Sequence, residues 1–189
     1  MSAVPQIKYL TPEEYLAIER QAEFKSEYVD GAMYAMAGGS PQHSSVASNV
    51  LAELHLQLKR TSCRVFNSDL KVRVPSKRKY LYPDVTVTCA EPQFDDKGDA
   101  ILNPLLIVEV LSKTTAGYDR RNKFLYYQEI ESFQEYLLIA QDQPAVQHYV
   151  KQPDSTWICT TIKGLDQSVE LPLVNCRLEL KDIYAKVLD

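Results

Sequence analysis

The amino-acid sequence predicts an α/β fold in which helices flank a central mixed β-sheet. Three features support this prediction: a long segment with helical spacing of apolar residues, a following region with a period of two, and the apolar run LLIVEVL at 105–111. A strand that is apolar on both faces must be covered on both sides. Helices are therefore expected above and below the sheet.

A short helix followed by a β-hairpin is predicted at the start of the chain. Thr11 is a good N-cap, Pro12 suits the first helical turn, and Glu14 completes a capping box. The Asp-Gly pair at 30–31 then separates two apolar runs, which is a strong hairpin signal. Glu27 lies on the first arm of this hairpin.

The longest predicted helix begins at Ser40–Pro41 and ends near Lys59. Its apolar residues recur at helical spacing, at Val46, Ala47, Val50, Leu51, Leu54 and Leu58. From Arg64 onward the period changes to two, which predicts strands up to and including PDVTVT at 83–88, with the loop SKRKY at 76–80 between them.

The second half of the chain is predicted to alternate strand, helix and strands. The segment 105–111 reads as a central strand, and a Ser/Thr-rich corner then leads into a helix over 119–130. Three further strands are predicted within EYLLIA, AVQHYV and TWICTTI, and a short helix near 180–185. We expect one domain covering residues 1–189, because this length suits a single core.

Composition favours a soluble cytoplasmic protein with no membrane span. Hydrophobic residues make up 45% and charged residues 24% of the 189 positions, and the start MSAVPQIKYL has neither a basic nor an apolar signal region. The net charge of -4 argues against non-specific coating of nucleic acid but leaves room for a local basic patch. The cysteines are expected to be reduced, without a zinc site or disulfide framework, at Cys63, Cys89, Cys159 and Cys176.

Two carboxylates occupy strand positions where an apolar residue is the norm. Asp84 opens the PDVTVT strand, and Glu109 lies at the centre of LLIVEVL. An ionised carboxylate in a largely apolar sheet loses hydration unless it is paired or binds a cation. Two converging carboxylates would be hard-oxygen ligands for Mg²⁺. The alternatives are buried salt bridges to arginines or hydrogen bonds to backbone at strand ends.

A lysine on the following helix is a third candidate. Asp119, Lys123 and Tyr127 are spaced i, i+4, i+8 and so share one helical face. Lys123 is therefore able to point back at the end of the Glu109 strand and position a water near a metal. The alternative is an exposed ion pair with Asp119.

The ordered motifs EYVDG, SPQH, YPDV, IVEVLS and D-R-x-x-K-x-x-x-Y resemble the Uma-two family, which is placed in the PD-(D/E)xK nuclease superfamily. The resemblance covers Thr11 to about Tyr149 and implies a restriction-endonuclease-like core. It also implies that Asp84 and Glu109 bind Mg²⁺ (or Mn²⁺), with the carbonyl oxygen of Val110 as a further ligand.

The sequence departs from the superfamily pattern two residues after the acid. The expected lysine is replaced by Leu111, and the resemblance to branches with a displaced lysine makes Lys123 the matching position, with Lys113 as the runner-up. Glu27 matches the family's acid ahead of the hairpin. Catalysis is therefore assigned to Asp84, Glu109, Lys123 and Glu27.

Other polar residues are peripheral candidates. His43 is either a catalytic base or a surface residue in the first helical turn, and Asp119 is the remaining acid of the helical stripe. The basic residues of the 76–80 loop either contact phosphates or form a solvated hairpin tip; they are Lys77, Arg78 and Lys79.

The leading functional hypothesis is a Mg²⁺-dependent endonuclease that hydrolyses phosphodiester bonds in DNA. The alternative is a catalytically weak or inactive nuclease-fold module that binds nucleic acid or protein. A homodimer is expected by analogy with nucleases of this fold.

Overall fold

The computed structural model describes residues 9–36, 38–76, 78–112 and 116–188. Its α-helices are α1 (Pro12–Glu19), α2 (Pro41–Leu58), α3 (Ala116–Tyr118), α4 (Phe124–Tyr127) and α5 (Leu180–Ile183), with a π-helical segment, Asp119–Lys123, between α3 and α4. Its strands are β1 (Ser26–Val29), β2 (Ala32–Ala35), β3 (Arg64–Asn67), β4 (Lys71–Arg73), β5 (Lys79–Leu81), β6 (Val85–Thr88), β7 (Ala100–Ile101), β8 (Leu106–Leu111), β9 (Glu135–Ala140), β10 (Ala145–Lys151), β11 (Trp157–Lys163), β12 (Ser168–Leu171) and β13 (Cys176–Glu179).

The predicted mixed sheet is confirmed as a six-stranded sheet with the order β11-β10-β9-β8-β6-β3. Strands β8 and β9 run parallel, whereas their other neighbours are antiparallel. A five-stranded sheet has the order β2-β1-β5-β4-β7, and β12 and β13 form a separate pair. The loop predicted over 76–80 is shorter in the structure, because Lys79 and Tyr80 already belong to β5. Strands β7, β12 and β13 were not predicted, because two to four residues are too few to show a period.

Strand β8 is central and buried along its whole length, as predicted. One of its faces, with Leu106 and Val108, joins the apolar cluster formed by the inner face of α2. The other face, with Ile107 and Leu111, joins a second cluster that includes Tyr127. Glu109 is therefore a carboxylate on the second of these two apolar faces.

The first helix and hairpin form as their sequence signals indicate. The Thr11 hydroxyl accepts a hydrogen bond from the Glu14 amide, and the Glu14 carboxylate accepts one from the Thr11 amide. In the hairpin turn, Asp30 and Gly31 have φ angles of 48° and 98°. A Cβ atom at Gly31 would lie 2.7 Å from Cδ1 of Tyr9. Glycine is therefore required both by the positive φ angle and by the lack of space for a side chain.

The helix predicted over 119–130 is present but differs in form. It runs without interruption from Ala116 to Tyr127, and its middle portion is π-helical rather than α-helical. A π turn bonds residues five apart and is frequent at functional sites. Ile130 follows the helix in a turn, although it is buried in the same apolar cluster as Tyr127.

The expectation that all four cysteines are reduced is wrong for one pair. Cys63 precedes β3 and Cys89 follows β6, and the antiparallel pairing of Arg64 with Thr88 brings the two cysteines together in a disulfide. A long-range strand pairing is not visible in residue spacing. Cys159 and Cys176 are free, as expected. No helix within the described ranges is long and apolar enough to cross a membrane.

Candidate functional site

The two strand carboxylates meet because of the β6–β8 register. Val85 pairs with Val108 in antiparallel strands, so Asp84 lies across from Glu109. Directly opposed residues project to the same face of a sheet. Asp84 holds its position through Oδ2, which accepts a 2.7 Å hydrogen bond from the Val110 amide. This amide would otherwise lack a strand partner, because β6 begins one residue after Asp84.

Lys123 reaches Glu109 from the π-helical segment. Its Nζ atom lies 2.9 Å from Oε1 of Glu27, 3.2 Å from Oε1 of Glu109 and 3.7 Å from Oδ1 of Asp119. The lysine side chain is only 7% exposed. The structure thus brings together acids from β1, β8 and the helix around one buried ammonium group.

Burial and neighbouring charges shift the pKa values of the acid and the lysine at the site. Burial raises the pKa of Glu109 well above its usual range, although the Lys123 ammonium lowers it; Asp119, Asp84 and Glu27 each raise it to a smaller extent. Burial by itself lowers the pKa of Lys123, but Glu109, Glu27 and Asp119 raise it well above its usual value. Lys123 is therefore an ammonium group at neutral pH.

His43 joins the site from the first turn of α2. Its Nε2 atom lies 3.4 Å from Oδ2 of Asp84, and the hydrogen bond to Asp84 raises its pKa despite partial burial. The α2 cap is tied to the end of β9, since the Ser40 hydroxyl donates a hydrogen bond to Oε1 of Gln141.

Solvent reaches the site from the His43 side. The side chains of His43 and Asp84 are 22% and 15% exposed, whereas Lys123 and Glu109 are buried. Asp84 and His43 therefore form the accessible rim, with the lysine and Glu109 behind them.

The residues present fit a divalent cation such as Mg²⁺. In the part of the chain that the structure describes, no three His, Cys, Asp or Glu side chains form a ready-made metal cluster. Mg²⁺ is usually held by one or two carboxylates together with waters and substrate oxygens, so a full protein cage is not required. Burial raises the pKa of Glu109, so a cation beside this carboxylate would stabilise its ionised form.

The predicted peripheral residues have separate environments. Arg78 is exposed and lies 3.2 Å from Asp30. Lys79 is buried, with Nζ 3.0 Å from Glu129 and 4.9 Å from the centre of the Tyr126 ring, contacts that link β5 to α4 and the turn after it. Lys77 and Lys113 lie outside the described residues.

Sequence reasoning missed two features of the site. Tyr127 is predicted only to share a helical face with Lys123, whereas in the structure its hydroxyl donates a 2.9 Å hydrogen bond to Oε1 of Glu109. The i, i+4, i+8 stripe with Asp119 and Lys123 contained that signal. Gln141 lies just after β9, and no residue pattern indicates its hydrogen bond with Ser40.

A central mixed sheet with an acidic pair and a nearby lysine defines an α/β protein with a restriction-endonuclease-like core. The family model of Uma2, described as "Putative restriction endonuclease", matches residues 12–181, and the chain belongs to this family.

Two relatives and one solved structure are similar to the chain over nearly its whole length. The chain is 39% identical over 171 residues to "Uncharacterized protein sll1609" of Synechocystis sp., covering 90% of this chain and 97% of the relative. It is 37% identical over 174 residues to "Uncharacterized protein slr1290" of the same organism, covering 92% and 86%. The crystal structure of a "putative nuclease belonging to DUF820" from Anabaena variabilis matches with a TM-score of 0.77 at 20% identity, covering 95% of this chain and 99% of that chain.

Proposed function

We propose that the protein is a Mg²⁺-dependent endonuclease that hydrolyses phosphodiester bonds in DNA. The observation that carries the proposal is the convergence of Asp84, Glu109 and Lys123 at one end of the central strands. Membership of a family described as "Putative restriction endonuclease" supports the same reaction class.

The metal would be held by the carboxylates of Asp84 and Glu109 and by the carbonyl oxygen of Val110. Mn²⁺ has the same preference for oxygen ligands. The chemistry that such an ion supplies when bound is neutralisation of charge on the scissile phosphate. His43 contacts Asp84, so it orients the accessible side of this ligand set.

Lys123 acts as a cation and hydrogen-bond donor. Because its pKa is raised, it does not take a proton from the attacking water; its Nζ atom instead orients that water or a phosphate oxygen. Glu27 is the auxiliary acid. Its Oε1 atom lies 2.9 Å from Nζ and also accepts a hydrogen bond from the Tyr82 amide, so it keeps the ammonium beside Glu109.

A non-catalytic nucleic-acid or protein-binding module is the second candidate. It is favoured by the engagement of Lys123 with three carboxylates, which leaves the ammonium less free to contact a substrate.

Cleavage of DNA with and without metal separates the two candidates. Supercoiled plasmid and circular single-stranded DNA are incubated with Mg²⁺, with Mn²⁺ or with a chelator. We expect metal-dependent cleavage that falls by about 100-fold or more in Glu109→Gln and Lys123→Ala. Lys163→Ala, which changes an exposed lysine at the end of β11, is the matched control and should retain activity. Cleavage that survives both site substitutions would refute the assigned roles.

A further inference from the structure

An exposed tyrosine stands beside the acidic site on the hairpin. Tyr34 of β2 is directly opposite Glu27 of β1, so the two side chains project to the same face. Glu27 contacts Lys123 on that face, whereas Tyr34 is 57% exposed. Because β2 is an edge strand of its sheet, the Tyr34 ring lies at the border of the site.

A second tyrosine approaches the same acid from the helix. Tyr118 precedes Lys123 by five residues, and the π turn aligns residues at that spacing. The Tyr118 ring centre lies 6.0 Å from Nζ of Lys123. Burial and then the Glu27 carboxylate raise its pKa, so its hydroxyl stays neutral at physiological pH. An edge contact with Tyr126, at 6.5 Å, holds the Tyr118 ring in place.

We propose that Tyr34 and Tyr118 form a stacking surface for unpaired bases, which makes single-stranded or locally unpaired nucleic acid the substrate of the site. This inference rests on the proposed function. Aromatic rings bind bases of any sequence through their faces. Bases inside a duplex are already stacked on one another and do not offer those faces.

The charge of the protein supports stacking as the source of affinity. The chain has a net charge of -4, and carboxylates surround the ammonium group of its site. Such a protein repels phosphates at long range, whereas an uncharged ring attracts a base without adding a cation. Binding through the rings should therefore depend less on salt than binding through lysines and arginines.

The test is binding measured apart from cleavage. Fluorescein-labelled oligo(dT) of 20 nucleotides, a 20-base-pair duplex and an abasic strand of equal length are titrated in Ca²⁺ and followed by fluorescence anisotropy. We expect wild-type protein to prefer the single strand. Tyr34→Ala should weaken that binding by roughly 5- to 100-fold, Tyr34→Phe should leave it unchanged, and neither should alter binding of the abasic strand.

The matched control is Phe94→Ala. Phe94 is 40% exposed and bridges to Ile101 of β7, at the opposite edge of the same sheet from β2, so its removal should not change oligo(dT) binding. Thermal melting of each variant verifies folding. Tyr118→Ala should weaken the same binding if it melts as a folded protein.

The outcomes separate the inference from the proposed function. Wild-type binding of oligo(dT) that is unchanged in Tyr34→Ala overturns the stacking surface and leaves a nuclease intact. If the wild-type protein neither cleaves nor binds any of the strands, the proposed function itself is overturned. If light scattering gives Tyr34→Ala a smaller mass than the wild type, the Tyr34 ring contacts a second copy of the chain rather than a base, and the inference is also overturned.

Discussion

Replacing Lys123 with methionine is expected to destabilise the protein by about 3–5 kcal/mol, the usual cost of removing one partner from a buried ionic group. At an effective dielectric constant near 20, each of the contacts at 2.9, 3.2 and 3.7 Å contributes about 5 kcal/mol of Coulomb attraction. Loss of hydration and repulsion between the carboxylates offset most of that attraction. Removal of the ammonium leaves these acids buried and facing one another.

The effect has a definite pH dependence. Glu109 has a raised pKa even with Lys123 present, so the folded protein binds a proton at this carboxyl more tightly than the unfolded chain. Stability therefore falls as pH rises through the interval between the unfolded and folded pKa values. The Lys123 ammonium lowers the Glu109 pKa, so in Lys123→Met the folded-state pKa of Glu109 is higher and that interval extends further upward. The loss of unfolding free energy relative to the wild type should therefore be larger at pH 8 than at pH 5.

Urea denaturation followed by circular dichroism, in a chelator, measures this difference. Lys163→Met is the control, since Lys163 is exposed and its loss should change the free energy of unfolding by less than about 0.5 kcal/mol. A loss of stability in Lys123→Met below about 1 kcal/mol, or one that grows as pH falls, would refute a buried ammonium that offsets the charge of these acids.

Three further predictions concern the metal, the disulfide and a second buried pair. Mg²⁺ should raise the melting temperature of the wild type but not that of Asp84→Asn, because the substitution removes a ligand charge. Replacing both Cys63 and Cys89 with alanine should cost about 3–4 kcal/mol, from the 26-residue separation that the disulfide closes; urea denaturation measures it. His148→Ala should cost about 3–5 kcal/mol in the same assay, because Nε2 of His148 lies 2.6 Å from Oε1 of the fully buried Glu135.

Each of these predictions has an internal control. Equal stabilisation of wild type and Asp84→Asn by Mg²⁺ would remove Asp84 from the ligand set. A reductant that lowers the stability of the double alanine variant as much as that of the wild type would show that its effect does not come from the Cys63–Cys89 bond. Adding Glu135→Gln to His148→Ala should restore part of the lost stability, and no recovery would contradict an uncompensated buried carboxylate.

Much of the fold was predictable because its signals are local. The Thr11 capping box, the Asp-Gly turn at 30–31 and the helical stripe of α2 each act within a few residues, and all three appear in the structure. The central position of β8 follows from its apolar faces. The disulfide and the extra short strands depend on pairings between distant segments, which local patterns do not encode.

The candidate site divides in the same way. Asp84 and Glu109 stood out because a charge in an apolar strand is anomalous, and the β6–β8 register then pairs them. The direction of Lys123 depends on how a helix with a π turn packs between a sheet and a hairpin. Its contact with Glu27 could not be obtained from spacing, since Glu27 lies on β1 and Lys123 on a helix far along the chain.

The location of Lys123 on a helix means that two cooperative units assemble the site. The acids Asp84 and Glu109 belong to the six-stranded sheet and its border, whereas the lysine follows the helix from Ala116 to Tyr127. Local opening of that helix would separate the ammonium group from both acids while the sheet remained intact. The temperature at which the assembled site is lost would then be found from hydrogen exchange of the helix amides rather than from the global melting curve.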